Sequence, residues 1–411
     1  MKKFSKIINR CQFTKKKDLK LVLSLGYLPA VNEMEKIGSQ TNHSVFFPTD
    51  LLYSPSSKLY QINNIISKNI IFPKSYPYTS STTKILRDNF SELYLEVKKI
   101  IGLKNSDLVI DIGSNDGNLL KKFKNVKVLG ITPEDIGRKA IRDGIPTILD
   151  YFNTKVSKKI LKKYGKAKVI TATNVFAHID DINTLMKNVL RVLSDEGVFI
   201  TESHYFLSLV ETLQYDTIYH EHLRYYTLTS LKKIFQKFNL KIIHAKKIDT
   251  HGGSIRVYAV KDQKKVANKN VAKILQTETK KINTKNIKKF CKGVVSSKIE
   301  LISLIRKIKK KNKKIFGVGA PSRASTLVNY VGLDSNIIDC ICEIKGSHKI
   351  GHYLPGTKIP IVSEQIIFTS KPEFLLIFSW HIAKDLIKIF KTKGYKGKFI
   401  IPLPKPRIVS G

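Results

Sequence analysis

Tryptophan occurs once, methionine three times and cysteine four times in 411 residues. The four thiols, Cys11, Cys291, Cys340 and Cys342, are too few and too scattered for a disulfide framework, and they suit a reducing compartment. Long apolar runs are also missing. The strongest, residues 374–378, falls far short of the roughly 18 to 20 residues that a membrane span needs. Residues 1–6 are basic, but Asn9, Arg10 and Gln12 interrupt any apolar stretch behind them, so the expected location is the cytoplasm, with no membrane partner. Glycine and proline supply only 36 residues between them, which excludes collagen-like and low-complexity chains. A hydrophobic share of 42% is enough for buried cores, and the length corresponds to about two to three domains.

Acidic residues are scarce. Against 73 Lys and Arg stand 32 Asp and Glu, a net charge of +41 that raises nucleic acid as a partner. Only ten of the basic residues are Arg, however, and the 63 Lys are strewn along the chain with no aromatic-interleaved stripe. A solvated, lysine-biased surface is the better reading, and nucleic acid is disfavoured. The densest run, residues 305–315 with Lys307, Lys309, Lys310, Lys311, Lys313 and Lys314, sits between two structured blocks and reads as a linker face.

Residues 1–72 show short apolar segments without long periodicity, as in a small loop-rich module. From 84 to 101, Ile85, Leu86, Phe90, Leu93, Leu95, Val97, Ile100 and Ile101 recur mostly at steps of three and four behind a Ser80-Ser81-Thr82-Thr83 cluster, which predicts a capped amphipathic helix. Short β-branched runs at 108–110, 126–131, 145–149, 169–172 and 198–201 then alternate with helical ones, the signature of a parallel sheet covered on both faces. Runs at 240–243 and 255–260 flank His251-Gly252-Gly253-Ser254, which predicts an antiparallel hairpin at the sheet edge. Residues 264–314 read as a lysine-rich helical linker, and a second alternating block follows from 314. The division predicted is 1–72, 73–263 and 264–411.

The sharpest chemical signal is Asp111-Ile112-Gly113-Ser114-Asn115-Asp116-Gly117, directly behind a buried strand and ahead of a helical 118–123. Its glycines let the backbone turn and approach a ligand, and such ligands bind at the carboxyl ends of the strands. A dinucleotide loop needs the different spacing Gly-x-Gly-x-x-Gly. Asp-x-Gly-x-x-x-Gly is instead the pattern of class I S-adenosylmethionine methyltransferases. Together with Asn174-Val175-Phe176-Ala177-His178, Asp216-Thr217-Ile218-Tyr219-His220-Glu221-His222, His251-Gly252-Gly253-Ser254 and Gly317-Val318-Gly319-Ala320-Pro321, it resembles the sugar C-methyltransferases of deoxysugar pathways over nearly the whole chain.

That resemblance implies an α/β architecture: a class I methyltransferase Rossmann-like domain, a second C-terminal Rossmann-like domain and a small N-terminal zinc-binding-type module. It implies S-adenosylmethionine as cofactor and a sugar nucleotide as small-molecule partner, methylated at a ring carbon, typically C3, of a 4-keto-6-deoxyhexose. His222 would be the base, with Tyr219, Glu221 and His178 orienting it or supporting the enolate oxygen. A proton beside a ketone is acidified because the charge spreads onto the carbonyl oxygen, and a neutral imidazole suits its removal. Tyr76 and Tyr78 match the family's Tyr-x-Tyr-x-Ser segment, although packing between modules would also account for them. By the same resemblance the cofactor site takes Asp111, Gly113, Ser114, Asn115, Asp116, Gly117, Thr132, Phe152 and Asn174. The acceptor site takes His220, His251, Gly252, Gly253, Gly319, Ala320, Pro321, Ser322 and Arg323, the glycine loop with Arg323 serving the nucleotide's diphosphate. His251 to Ser254 could equally be only a turn.

Two positions depart from the family. Its first module holds zinc with four cysteines, and here those positions are Cys11, Thr14, Ser54 and Ser57, so zinc is not expected. Thr132 stands where an acid usually holds the adenosyl ribose, and Glu134 is the candidate substitute. These departures and the charge leave two alternatives: a methyltransferase on another acceptor such as RNA, or a non-catalytic sugar-nucleotide or cofactor-binding homologue. A metal site at His220-x-His222 lacks further ligands of suitable spacing.

Overall fold

The computed structural model describes residues 4–39, 44–72, 79–80 and 84–410. Tyr76, Tyr78 and positions 81–83 of the expected cap lie outside them.

The strands that carry the site are buried almost throughout because the sheet is covered on both faces, as Leu108–Ile112 and Ala167–Thr173 illustrate. Across this central sheet the order is Lys241–Ile248, Ser254–Val260, Leu193–His204, Ala167–Thr173, Leu108–Ile112, Lys127–Ile131 and Thr147–Ile148. The last five run parallel. The first two form the expected hairpin, which joins Leu193–His204 antiparallel. The helix Lys84–Ile101 buries Leu86, Phe90, Leu93 and Val97, whereas Ile85 and Leu95 of the periodic set face solvent. Its polar Asn89 reaches inward to Glu202, whose other oxygen pairs with the fully buried Arg256 at 3.0 Å.

A second sheet has the order Ile361–Ser363, Cys340–Glu343, Ile315–Val318, Phe374–Ile377, Lys398–Ile401 and Arg407–Val409, parallel except for the last strand. The third-second-first-fourth-fifth arrangement is Rossmann-like. Between the two sheets run the lysine-rich helices Lys269–Lys281 and Thr284–Lys309. The dense basic run closes the second of these, and Arg306, Lys307 and Lys309 in its last turn oppose the partial negative charge of the helix C-terminus.

Two expectations need correction. Residues 118–123 hold only a single tight turn of helix, Leu120–Lys122, so the glycine loop does not open a regular helix. The N-terminal module is β-structured, not loop-rich. Lys20–Pro29, Phe46–Ser54 and Leu59–Ile62 form an antiparallel sheet whose fourth strand, Arg224–Tyr225, is lent by the central part of the chain. Shifts of register between Leu21 and Leu23 and between Ser24 and Tyr27 break the two-residue alternation that would have announced the first strand.

Candidate active site

At the carboxyl edge of the central sheet, Gly113 turns the chain with φ +75°, and a Cβ there would sit 2.9 Å from Val175 of the neighbouring Asn174 loop. Only glycine fits both constraints. Asp111 is buried beneath the loop and accepts a hydrogen bond from Thr171 Oγ1 at 2.6 Å. Burial, with the Glu202 carboxylate nearby, pushes its carboxyl up to about 7 against the opposing effect of Thr171. Ser80 seals the loop from outside: its N–H donates to Asn115 Oδ1 at 2.9 Å and its hydroxyl to Asp116 Oδ1 at 2.6 Å.

Ser114 Oγ, Asp116 Oδ2 and Asn118 Nδ2 are buried without a hydrogen-bond partner among the described residues. Unpaired buried donors and acceptors are costly, so three of them around a glycine turn fit a polar cofactor. Thr132, at the end of the next strand, donates its hydroxyl to Glu134. A half-buried carboxylate therefore stands beside the position where the motif lacks an acid. Phe152 is buried one strand further along, and Asn174, held at φ 55°, ties its N–H to Glu202 O at 2.7 Å.

Beside this loop a group of rings converges on His222. The centroid of Tyr219 lies 4.3 Å from it, that of His204 5.1 Å and that of His178 5.2 Å, while His251 is 5.9 Å from His204. His222 Nδ1 meets Thr217 O at 2.9 Å. Burial pushes the imidazole down to about 4, more than that hydrogen bond raises it, and His251 and Arg323 add to the fall. Tyr219 is driven well above its usual range, chiefly by burial. His204 was not anticipated from the motifs. Its signal was available, because it ends a strand of the sheet at the edge where ligands bind.

The segment 216–225 is clamped from both sides. From the C-terminal sheet, Trp380 Nε1 donates to Asp216 Oδ2 at 2.7 Å, and Arg323 Nε approaches the same oxygen at 3.6 Å. Arg323 also donates to Gln214 Oε1 at 3.1 Å and meets His381 Nδ1 at 2.8 Å. From the N-terminal sheet, Asn32 donates to Glu221, and Thr49 Oγ1 lies 3.2 Å from His220 Nε2. Arg224 is wholly buried and donates to Gln12 Oε1 at 2.6 Å and to the carbonyls of Phe176, Ile179 and Asp180, fixing the loop that carries His178.

Not every expected residue is brought to the ring cluster. His220 turns into the N-terminal sheet, edge-on to Phe47. Glu221 is engaged by Asn32, and the atom that orients His222 is the Thr217 carbonyl. In the second glycine loop, Gly319 N–H is spent on Cys342 O at 2.9 Å and Ala320 N–H on Glu343 Oε1 at 2.6 Å, so neither is left for a diphosphate. Arg323 is ion-paired to Asp216, and the cation at this loop is Lys349, which donates to Ala320 O. Pro321 and Ser322 open the helix Ser322–Val331, and Gly252 and Gly253 sit in the turn behind His251.

The four positions aligned with zinc ligands do converge. Cys11 Sγ lies 3.2 Å from Ser57 Oγ and accepts Thr14 N–H at 3.4 Å, and Ser54 Oγ donates to Asp18 Oδ1 at 2.9 Å. Burial raises the Cys11 thiol, but hydrogen bonds from Ser54, Ser57 and Thr14 outweigh it and bring it below the usual range. One thiol and three hydroxyls do not fit a tetrahedral structural zinc.

A methyltransferase domain model matches residues 84–245, and a C-methyltransferase C-terminal domain model matches residues 249–404. C-methyltransferase NovU of Streptomyces niveus is 29% identical over 98% of this chain and 97% of its own length. Among solved structures, an S-adenosylmethionine-dependent methyltransferase from Clostridium acetobutylicum is 14% identical, covering 46% of this chain and 94% of its own, with a TM-score of 0.34. The magnesium protoporphyrin IX methyltransferase of Synechocystis with bound SAH is 13% identical, covering 43% of this chain and 83% of its own, also with a TM-score of 0.34. No helix among the described residues is long and apolar enough to cross a membrane. The two domain matches and this relative support an S-adenosylmethionine-dependent C-methyltransferase over the non-catalytic alternative.

Proposed function

We propose that the chain methylates the ring carbon beside the ketone, C3, of a nucleotide-linked 4-keto-deoxysugar. The tautomer of His222 carries this reading. A backbone carbonyl only accepts, so Nδ1 bears the ring proton toward Thr217 O, and Nε2 keeps its lone pair as the basic atom. Burial keeps that ring neutral throughout the neutral range, ready to take the acidified proton of a carbon beside a carbonyl. The Tyr219 phenol, kept protonated by its surroundings, and the neighbouring His178 are the groups suited to hydrogen-bond the developing enolate oxygen.

S-adenosylmethionine, when bound, supplies an electrophilic methyl group on a sulfonium. Asp111, the loop of Gly113 to Gly117, Asn118, Phe152 and Asn174 would hold it, with Glu134 beside Thr132 accepting the ribose hydroxyls. The nucleotide of the acceptor would lie toward the Gly319 loop, where Lys349 offers a positive charge. Replacing His222 with Asn is expected to cut turnover of a nucleoside-diphosphate 4-keto-6-deoxyhexose by about 10² or more. S-adenosylhomocysteine should still bind in calorimetry. Full turnover in His222→Asn would remove it from the role of base.

A further inference from the structure

We propose that Arg224 is a positioning residue for the reaction, a buried cation left without an anion so that its charge, placed behind His178, favours the negative charge developing on the acceptor's enolate oxygen. The inference rests on the acceptor reading above. Three arginines are buried among the described residues, Arg224, Arg256 and Arg323. Arg256 pairs with Glu202 at 3.0 Å and with Glu96 at 2.8 Å, and Arg323 faces Asp216 at 3.6 Å. Arg224 has no carboxylate at ion-pair distance among the described residues, and that of Asp180 turns instead to Lys68 at 3.1 Å. All five of its N–H donors are nevertheless used, each on a neutral acceptor. Nε donates to the Tyr226 hydroxyl at 2.9 Å, Nη1 to Gln12 Oε1 at 2.6 Å and Asp180 O at 3.3 Å, and Nη2 to Phe176 O at 3.3 Å and to Ile179 O. An uncompensated buried charge is strongly destabilising, and here hydrogen bonds to dipoles hold the charge in place without cancelling it.

The reaction supplies a use for it. When the C–H bond beside the ketone breaks, its electron pair becomes the enolate, with negative charge on oxygen, and the proton becomes N–H at His222 Nε2. A nearby cation attracts the enolate and repels the imidazolium, so it helps only from the enolate side. Arg224 stands on that side. Its carbonyl acceptors at Phe176, Ile179 and Asp180 flank His178 in the chain, which places the guanidinium inside the loop whose side chain is suited to hydrogen-bond the enolate oxygen. Arg224 is among the charges that bear on the His178 ring, whereas those that bear on His222 are His251 and Arg323. Arg323, the cation on the side of the base, is the one offset by a carboxylate.

The test is deuterium wash-in from heavy water at the carbon beside the ketone of a nucleoside-diphosphate 4-keto-6-deoxyhexose, without cofactor. Gln12→Glu sets a carboxylate where the guanidinium now meets an amide, keeping that hydrogen bond while cancelling the charge, and gives up only two long bonds from Gln12 Nε2, at 3.4 and 3.3 Å. Wash-in is expected to slow about tenfold, the effect of a unit charge several ångströms from the enolate at the effective dielectric of a protein. Arg224→Gln should slow it to a similar extent, and Arg224→Lys, which keeps the charge and loses most of the hydrogen bonds, should recover most of the rate. A residue that only staples the loop gives the opposite pattern, with Gln12→Glu at the parental rate and both Arg224 variants equally slow, and that pattern overturns the proposal. S-adenosylhomocysteine affinity and the unfolding midpoint control for folding, and where the Arg224 variants do not fold, Gln12→Glu decides alone. Parental protein that exchanges no proton on this probe overturns the acceptor reading, and the role of Arg224 with it. Loss of exchange in His222→Asn, with Gln12→Glu at the parental rate, leaves the acceptor reading standing and removes only the role of Arg224.

Discussion

His220 and His222 lie two residues apart, and each is pushed down to about 4 by burial, yet they serve opposite ends of the structure. His222 is the proposed base, and His220 fastens the N-terminal sheet through Thr49 and the carbonyl of Pro48. An unfolded histidine titrates near 6.5. Between about pH 6.5 and 4 the unfolded chain therefore binds a proton at His220 that the folded chain refuses. Stability from this residue is complete above that window and falls by up to about 1.4 kcal/mol per pH unit inside it. Asp111, raised to about 7, contributes with the opposite sign, so the clean measurement is a difference between variants. Melting curves of His220→Gln between pH 7.5 and 5.5 are expected to show a shallower loss than the parent, and an equal slope would mean that the ring titrates freely. Spacing made both histidines visible in the sequence. The sorting of one to the site and the other to a joint was not visible, because it depends on a strand 170 residues away.

At the level of elements, most strands of the central sheet, its edge hairpin and the positions of both glycine loops were legible along the chain, since buried parallel strands announce themselves as β-branched runs. The helix behind the first loop was not, because Asn118 to Phe123 carries a helical composition without the length to sustain it. Glu278 gives a second case. It lies within a lysine-rich helix and looks like one more solvated charge, yet it is buried. Its carboxylate accepts from Thr229 N at 2.9 Å and Leu228 N at 2.6 Å, capping the helix Leu228–Lys237 from outside, and from Tyr205 OH at 2.9 Å. Glu278→Ala strips the acceptor from four donors at once, the Thr229 hydroxyl included. A loss of about 2 to 3 kcal/mol in urea unfolding is expected, with the exchange of the Leu228 and Thr229 amides accelerated. Unfolding at the parental midpoint would show that water replaces the carboxylate at no cost.

In the whole molecule, the composition pointed to separate modules, and the structure instead brings all three onto residues 216–225. No motif reports this, because Trp380, Asn32 and Gln12 acquire their meaning only through partners far away in sequence. The seam through Asp216 is the testable part. Trp380→Phe keeps an aromatic side chain but removes the indole N–H and part of its bulk, leaving a buried carboxylate with fewer donors, at a cost of about 1 to 3 kcal/mol. The KM for the acceptor is expected to rise while S-adenosylhomocysteine binding holds, since the cofactor loop lies on the central sheet alone. An unchanged KM would mean that the seam serves stability only. The strand Arg224–Tyr225 adds a practical corollary for anyone who recombines such enzymes. A chimera that exchanged the first module for that of a relative would replace three strands of a sheet whose fourth stays behind in the host, two residues from His222. A cut at the module border therefore splits that sheet, and the smallest cassette that keeps it whole is the N-terminal sheet together with the segment that completes it.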